Sequence, residues 1–467
     1  MEAGKLYKIR FDLKNPGAAQ ESPAIRILST SMRFDIEASE MIPDEAQLLG
    51  IESGTSPLKI VVPEFTTQET AQHTPVAGFE NNISVTLLSS VSLLSAHHAT
   101  ISILGLDGLS FPGDSVSVQN SGSTPTVHAM CAPDGSVGKV GWNASSYVMT
   151  WKICAGETMN HSTVYSFQFG FKNPTEDRTS PGILLHASSS EVTFPVSAMH
   201  KTRRSVMGVL NGTYPLKIVV PNFRLRNATQ STPIATHNNV LSFLLASTIT
   251  LGAGSDGSKI TIRGLDNAVA SSPTNLTVLK EGEPVAGIFC LDPDNVPEYN
   301  IAEFSQGVLT MTICRDFEAQ STYEVQLQVQ NPPDSQSSPG VFIEVESAAP
   351  FASMTMTKSG TEIFGVSDGA EPMRIIVPEL ETKDIRQSNL LPGALNLITV
   401  NMLSNVELRN SNGAGQFKTP ERRVRNPGMA ESTNFARFSF LVKLNFDSVI
   451  PDFSIENYDL LLQQRCQ

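Results

Sequence analysis

The sequence predicts an all-β chain of tandem Ig-like antiparallel β-sandwich domains, with a repeat of about 158 residues. Three observations support this fold class. The motif PLKIVVP at 57–63 recurs unchanged at 215–221 and as PMRIIVP at 372–378. Short segments of alternating apolar and polar residues keep the same spacing, and such alternation is typical of half-buried strands. The chain has 467 residues, 40% of them hydrophobic, which suffices for roughly three domains.

The repeated motif sets the period of the chain. Pro57 and Pro215 are 158 residues apart, and Pro215 and Pro372 are 157 apart. A match at one long, fixed period indicates tandem copies of a single structural unit. Because proline cannot donate to a sheet ladder, the prolines at both ends predict that the motif is one delimited strand of each unit.

A further strand is predicted ahead of each Asn-Pro pair. In YSFQFGF at 165–171, every second residue is aromatic, and counterparts with the same alternation lie at 7–13 and 323–329. The asparagines that follow these segments are Asn15, Asn173 and Asn331. Short alternating strands separated by turn residues favour packed sheets in a sandwich. A parallel β-helix is the alternative, and the absence of a short inner period argues against it.

Four divisions of the chain follow from the period. Residues 1–56 are interpreted as the C-terminal strands of a truncated repeat plus a connector, 57–214 and 215–371 as complete repeats with their connectors, and 372–467 as a partial, divergent third repeat. The connector 29–56 aligns with 187–214 without a gap, which favours an ordered joint over a loose linker. Residues 410–433 depart from the repeat. We therefore expect a segment of a longer repeat protein or a truncated gene model, which would also explain the lack of a signal peptide.

The cysteines form two equivalent pairs. Cys131 and Cys154 are 23 residues apart, and Cys290 and Cys314 are 24 apart, at matching places in the two complete repeats. We expect one disulfide in each repeat, and a disulfide indicates an extracellular or cell-surface location. Buried free thiols are the alternative, whereas a metal site needs more ligands than two cysteines. Cys466 has no partner in this pattern.

The charge and the surface motifs limit the partners. The net charge of −13 disfavours nucleic acid and anionic membranes, and no apolar stretch is long enough to span a bilayer. Self-association, other extracellular or surface proteins, and glycans are the partners considered; no cofactor is expected. Six Asn-x-Ser/Thr sequons are compatible with N-glycosylation: Asn82, Asn143, Asn160, Asn211, Asn227 and Asn275.

Several other patterns have a functional and a structural interpretation. His97 with His98 suggests metal binding, and 292–295 or 254–257 suggests calcium, but each is more typical of a turn. Trp142 and Trp151 suggest a carbohydrate-stacking platform, although core packing is favoured. The basic runs at 201–204 and 422–425 resemble dibasic processing sites, although solvated loops are the simpler interpretation.

No catalytic motif is present. We find no G-x-S-x-G, H-E-x-x-H or phosphate-binding glycine loop in the sequence, so the chain is expected not to be an enzyme. The proline motif, the cysteine pair and the Y-x-F-x-F strand before Asn-Pro together resemble repeats in very large predicted secreted or surface proteins of protists, dinoflagellates among them. This resemblance covers most of 1–405 and implies extracellular β-sandwich arrays without a known site.

These observations predict an extracellular structural or adhesive repeat protein, part of a larger filament or cell-surface appendage. The alternative is a carbohydrate- or ligand-binding β-sandwich array, which would need an exposed aromatic or polar cluster in every repeat. A hydrolase on a β scaffold ranks third and would need a cleft with clustered carboxylates.

Overall fold

The computed structural model describes residues 1–253, 258–391 and 397–408, apart from the side chain of Ile398. The described residues form β-strands joined by loops, with two short 3₁₀ helices at Ser95–His97 and Val127–Ala129. This confirms the predicted all-β class. Among these residues no helix is long and apolar enough to cross a membrane.

The first sandwich spans residues 65–201. Its strands are β3 (Phe65–Gln72), β4 (Glu80–Ser89), β5 (Leu93–Leu94), β6 (Thr100–Leu104), β7 (Ser115–Ser117), β8 (Gln119–Asn120), β9 (Met130–Cys131), β10 (Lys139–Asn143), β11 (Val148–Ile153), β12 (Thr158–Met159), β13 (Tyr165–Lys172), β14 (Leu184–Ser188), β15 (Thr193–Ala198) and β16 (His200–Lys201); β1 (Arg26–Ser29) and β2 (Ile36–Glu40) precede it. One sheet has the order β15-β14-β6-β11-β10-β7, with β9 on β11, and the other has the order β16-β3-β4-β13-β8. All pairs are antiparallel except β16 with β3.

The core of this sandwich forms because alternate residues of facing strands point inward. On β13, Tyr165, Phe167, Phe169 and Phe171 are all buried, as the alternation predicts. Trp151, on β11 of the opposite sheet, packs edge-on against Phe167 with 5.4 Å between ring centroids. An aromatic pair in this arrangement contributes about 0.5–1.5 kcal/mol beyond its buried area.

The second sandwich repeats this plan over residues 223–358. Its strands are β17 (Phe223–Gln230), β18 (Asn238–Ser247), β19 (Lys259–Arg263), β20 (Thr274–Lys280), β21 (Glu283–Pro284), β22 (Phe289–Cys290), β23 (Asn300–Ser305), β24 (Val308–Ile313), β25 (Tyr323–Gln330), β26 (Phe342–Glu346), β27 (Met354–Thr355) and β28 (Thr357–Lys358). The strand order is β27-β26-β19-β24-β23-β20-β25-β18-β17-β28. The two sheets are linked through β20, which pairs with β23 at one end and with β25 at the other.

Two further strand pairs flank the sandwiches among the described residues. On the N-terminal side, β1 and β2 form an antiparallel pair, in the places that β14 and β15 take one repeat later. On the C-terminal side, β29 (Leu380–Gln387) pairs with β30 (Ile398–Ser404), in the places of β17 and β18. Residues 254–257, the divergent segment 410–433, the basic run 422–425 and Cys466 lie outside the described residues.

The prediction that PLKIVVP is a sandwich strand is wrong. Within 57–63 only Ile60 forms a bridge, with Gln20, and within 215–221 Ile218 and Val219 form single bridges with Arg178 and Val76. The physical reason is the residue after the first proline. Leu58 and Leu216 have φ of 60° and 59°, a left-handed conformation that turns the chain and prevents a continuous ladder.

Candidate functional site at the joints between repeats

The repeated motif belongs to a connector that joins successive units. The structure places these connectors later in the chain than the predicted segments 29–56 and 187–214, and the first, second and third connectors are hereafter residues 48–63, 206–221 and 363–378. Each has four left-handed residues at equivalent places, three of them other than glycine: Leu49, Gly50, Ser53 and Leu58; Met207, Gly208, Asn211 and Leu216; Phe364, Gly365, Asp368 and Met373. Because non-glycine residues avoid this conformation at a cost of about 1 kcal/mol or more each, the surrounding contacts must hold it.

A buried glutamine holds the second connector against the sandwich before it. Gln72, at the end of β3, donates from Nε2 to the carbonyls of Gly212 at 2.9 Å and Lys217 at 2.7 Å. Its Oε1 accepts from the backbone N–H of Leu216 at 2.8 Å. These bonds surround the left-handed Leu216, and therefore define the path of the motif.

Two buried asparagines orient this glutamine. Asn81 donates from Nδ2 to Gln72 Oε1 at 3.2 Å and to Asn173 Oδ1 at 2.9 Å. Asn173 in turn donates to the carbonyls of Thr74 and Val76. All three amide side chains are buried, and a buried network of this kind is rigid when every member is satisfied.

The second sandwich holds the third connector in the same way. Gln230 donates to the carbonyls of Gly369 at 2.9 Å and Arg374 at 2.8 Å, and accepts from the N–H of Met373 at 3.0 Å. Asn239 and Asn331 take the places of the two asparagines. The amide network is thus a recurring device, and not an accident of one joint.

A serine and a lysine close the other side of the connector. Ser180 donates to the carbonyl of Pro215 at 2.6 Å, and Lys201 donates to Ser180 Oγ at 2.8 Å and to the carbonyl of Pro181. Partial burial lowers the pKa of Lys201 from its usual value. The same set recurs with Ser338 and Lys358 at the third connector.

The first and second connectors also bind the sandwich that follows each of them. The carbonyls of Leu49 and Met207 accept from the N–H groups of Ser92 and Thr250, each at 2.8 Å. Gly208 permits this approach, since an added Cβ would lie 2.3 Å from Thr250 Oγ1. The connector is therefore hydrogen-bonded to both of its neighbours.

An apolar cluster completes the joint between the two sandwiches. It combines Val76 of the first sandwich, Val209 of the second connector, and Ile249 and Ala349 of the second sandwich, all buried. Because this cluster removes apolar surface from water only when the two sandwiches stay in contact, it opposes bending at the joint.

The predicted site residues lie away from the joints, with one exception. The structure joins Cys131 to Cys154 and Cys290 to Cys314. Five sequon asparagines are exposed: Asn82, Asn143, Asn160, Asn227 and Asn275. Asn211 is instead half-buried in the second connector at φ 53°. Their glycosylation stays a prediction.

The other residues with a possible binding role lie in the core, in turns or in the joint. Trp142 and Trp151 are both buried in the core, which excludes them as a stacking platform for sugars. His97 is the last residue of the 3₁₀ helix Ser95–His97 and His98 is its C-cap, and no group of three metal-ligating side chains occurs among the described residues. Asp292 Oδ1 accepts from the N–H of Asp294 within its own turn. Lys201, at the start of the basic run, is held in the joint.

Sequence reasoning missed the two glutamines. Gln72 and Gln230 open the segments QHTPVA and QSTPIA, which are 158 residues apart. This recurrence was available in the sequence, but the alternation of a strand gives no reason to expect a buried amide at its end. The spacing of Asn173 and Asn331 marks the repeat in the sequence, but it does not reveal that their side chains are buried in this network.

No family model matches the chain, and no curated protein matches it. The chain is similar to solved structures of bacterial surface proteins. The C-terminal domain of the Streptococcus agalactiae antigen I/II polypeptide BspA is 7% identical, with a TM-score of 0.35, covering 62% of this chain and 99% of that one. That of Streptococcus pyogenes AspA is 6% identical, with a TM-score of 0.32, covering 63% and 97%. An N-terminal region of an enterococcal surface protein is 8% identical, with a TM-score of 0.21, covering 64% and 94%. At these values the likeness carries no argument about function.

Proposed function

We propose that the chain is an extracellular structural or adhesive repeat protein that presents its sandwiches at a fixed spacing and orientation. The observation that carries this proposal is the recurring joint. In two successive joints a buried Gln-Asn-Asn network binds the connector to the preceding sandwich. Burying an amide side chain costs free energy unless its hydrogen bonds are formed. A flexible linker would keep breaking these bonds, so the buried network favours an ordered joint.

The disulfides support the extracellular part of this proposal. Each closes a loop of similar length in a complete sandwich, and such bonds persist in oxidising compartments. We also propose that the repeats are of the type found in very large surface proteins of protists, and that the chain is part of a filament or cell-surface appendage.

A catalytic or sugar-binding role has less support among the described residues. Within the two sandwiches, the exposed aromatic side chains are Tyr147, Tyr299 and Phe342, and none of them has an aromatic counterpart in the other sandwich. We also propose that the protein is not an enzyme, because the polar side chains that recur in both sandwiches are the ones that hold the connectors.

Electron microscopy of native material, paired with peptide mass spectrometry without reduction, tests the proposal. We expect elongated particles or fibres that contain the chain, with Cys131 linked to Cys154 and Cys290 linked to Cys314. Free thiols throughout would contradict the extracellular location. Dispersed particles with variable bends between sandwiches would contradict the structural role.

A further inference from the structure

The joint at the second connector differs from the other two in charge. Residues 201–224, which include this connector, contain five lysines and arginines and no acidic residue. The equivalent residues 43–66 contain four acidic residues and one lysine, and the equivalent residues 358–381 contain five acidic and two basic residues. In a chain with a net charge of −13, the second joint is thus a local region of positive charge.

Three arginines present this charge to solvent. Arg203, Arg204 and Arg224 are exposed, and none of them forms an ion pair in the part of the chain that the structure describes. At the first and third joints, by contrast, Lys59 and Lys358 are each paired with a glutamate. The arginines of the second joint are therefore available to a carboxylate from outside the chain.

The fold holds these arginines beside the connector. The N–H of Arg204 donates to Thr213 Oγ1 at 2.9 Å, and the N–H of Thr213 donates to the carbonyl of Arg204 at 3.2 Å. Arg224, near the start of β17, donates from its guanidinium to the carbonyl of Gln320 at 2.6 Å, and the residue before Gln320 lies against Gly208 of the connector.

An exposed leucine lies in the same connector. Leu210 is 72% exposed, whereas the equivalent positions hold Glu52 and Ser367. The ammonium group of Lys217 donates to the carbonyl of Leu210, so a further cation lies beside it. An apolar side chain among arginines is typical of a protein interface. The basic joint surface is defined as Arg203, Arg204, Leu210, Lys217 and Arg224.

The equivalent surface of the first joint is acidic. Glu45 takes the place of Arg203, and Glu52 takes that of Leu210; these glutamates and Glu64 are exposed. The second joint lies between two complete sandwiches, and its residues at these three positions are exposed as well. Neighbouring units of the same chain therefore leave this surface uncovered.

We propose that the basic joint surface of one copy of the chain binds the first joint of a second copy. Opposite charge at equivalent positions of two similar connectors steers these surfaces together and disfavours contacts between like joints. The copies associate laterally through their joints. The contact rests on the proposed structural function and names a second copy as its partner.

A second copy fits this surface better than a sulfated polysaccharide, because a polyanion offers nothing apolar to Leu210. Exposed ion pairs contribute only about 0.2–1 kcal/mol each, so several must act together and the association is reversible. Sedimentation of the full chain in a Cys466→Ser background should show association at about 0.01 M salt, where charges act over about 30 Å. It should be lost at about 1 M salt, where they act over about 3 Å.

A charge exchange tests which surfaces meet. Arg203→Glu with Arg204→Glu should weaken self-association by at least about tenfold, and so should Glu45→Arg with Glu52→Arg, because each places like charges across the contact. A mixture of the two double variants should associate again, since the charges are then opposite. All four side chains are exposed, so both variants should fold.

The matched control is Lys139→Glu with Lys152→Glu, which makes the same change in net charge on β10 and β11 of the first sandwich. It should leave the association unchanged. A monomer at low salt, an equal loss in the control, or no association in the mixture would overturn the proposal. A monomer that a dextran sulfate column retains through Arg203 and Arg204 would assign the surface to a glycan instead. Joint stiffness, measured separately, would still decide the proposed function.

Discussion

The residues that matter most to the joints are held in conformations that they rarely adopt. Leu58, Leu216 and Met373 are all left-handed with φ near 60°. Each follows a proline, and at the two later ones a buried glutamine accepts from the backbone N–H. The strain is thus stored where hydrogen bonds over-determine the backbone.

Gly208→Ala should destabilise the second joint beyond the effect of its backbone conformation. The new Cβ would lie 2.3 Å from Thr250 Oγ1 and 2.6 Å from Ala319 Cβ. Gly282→Ala is the matched control, because Gly282 also has a positive φ but nothing within 4 Å. In chemical denaturation we expect a loss of about 1 kcal/mol for the control, and of about 1–3 kcal/mol more for Gly208→Ala. Equal losses would contradict the close approach at the joint.

Gln72→Ala should open the second connector. The change leaves the Leu216 N–H and the carbonyls of Gly212 and Lys217 without their side-chain partner, which costs about 2–4 kcal/mol. Hydrogen exchange of residues 212–218 should therefore accelerate. Gln168→Ala, half-exposed on the same sheet, is the control and should change stability by less than about 0.5 kcal/mol. Unchanged exchange in Gln72→Ala would show that other contacts define the connector.

At the scale of the elements, the strands follow from the sequence but the connector does not. The alternation at 165–171 identifies β13, since buried and exposed positions alternate as a pleated strand requires. The motif PLKIVVP is equally apolar and yet forms only single bridges. Its path depends on Gln72 and Asn173, which are distant in sequence, so local pattern alone could not reveal it.

The disulfide of the first sandwich should stabilise the first sandwich and not the second. It joins Cys131 of the short β9 to Cys154, the residue directly after β11, and so reinforces the pairing of Cys131 with Lys152. Replacing both Cys131 and Cys154 by Ser should lower the stability of the first sandwich by about 3 kcal/mol. The second sandwich should unfold as before, measured by hydrogen exchange of β24 and β25. The complementary change at Cys290 and Cys314 is the control, and should reverse the pattern.

At the scale of the whole molecule, the described chain is a series in which each unit depends on the next connector. In every connector a serine of the preceding unit donates a hydrogen bond to the carbonyl of the proline that opens the repeated motif. These serines are Ser22, Ser180 and Ser338 for the first, second and third connectors. The serine bond thus recurs at all three connectors, and the buried amide network recurs at the second and third.

The central claim, that the joint between the sandwiches is fixed, is tested most directly by a distance between them. Spin labels at Ser117→Cys on β7 and Thr277→Cys on β20, both exposed strand positions, would report it by double electron–electron resonance in a Cys466→Ser background. The account predicts one narrow distance distribution, which Gln72→Ala broadens. A broad distribution in the protein that retains Gln72 would contradict the account.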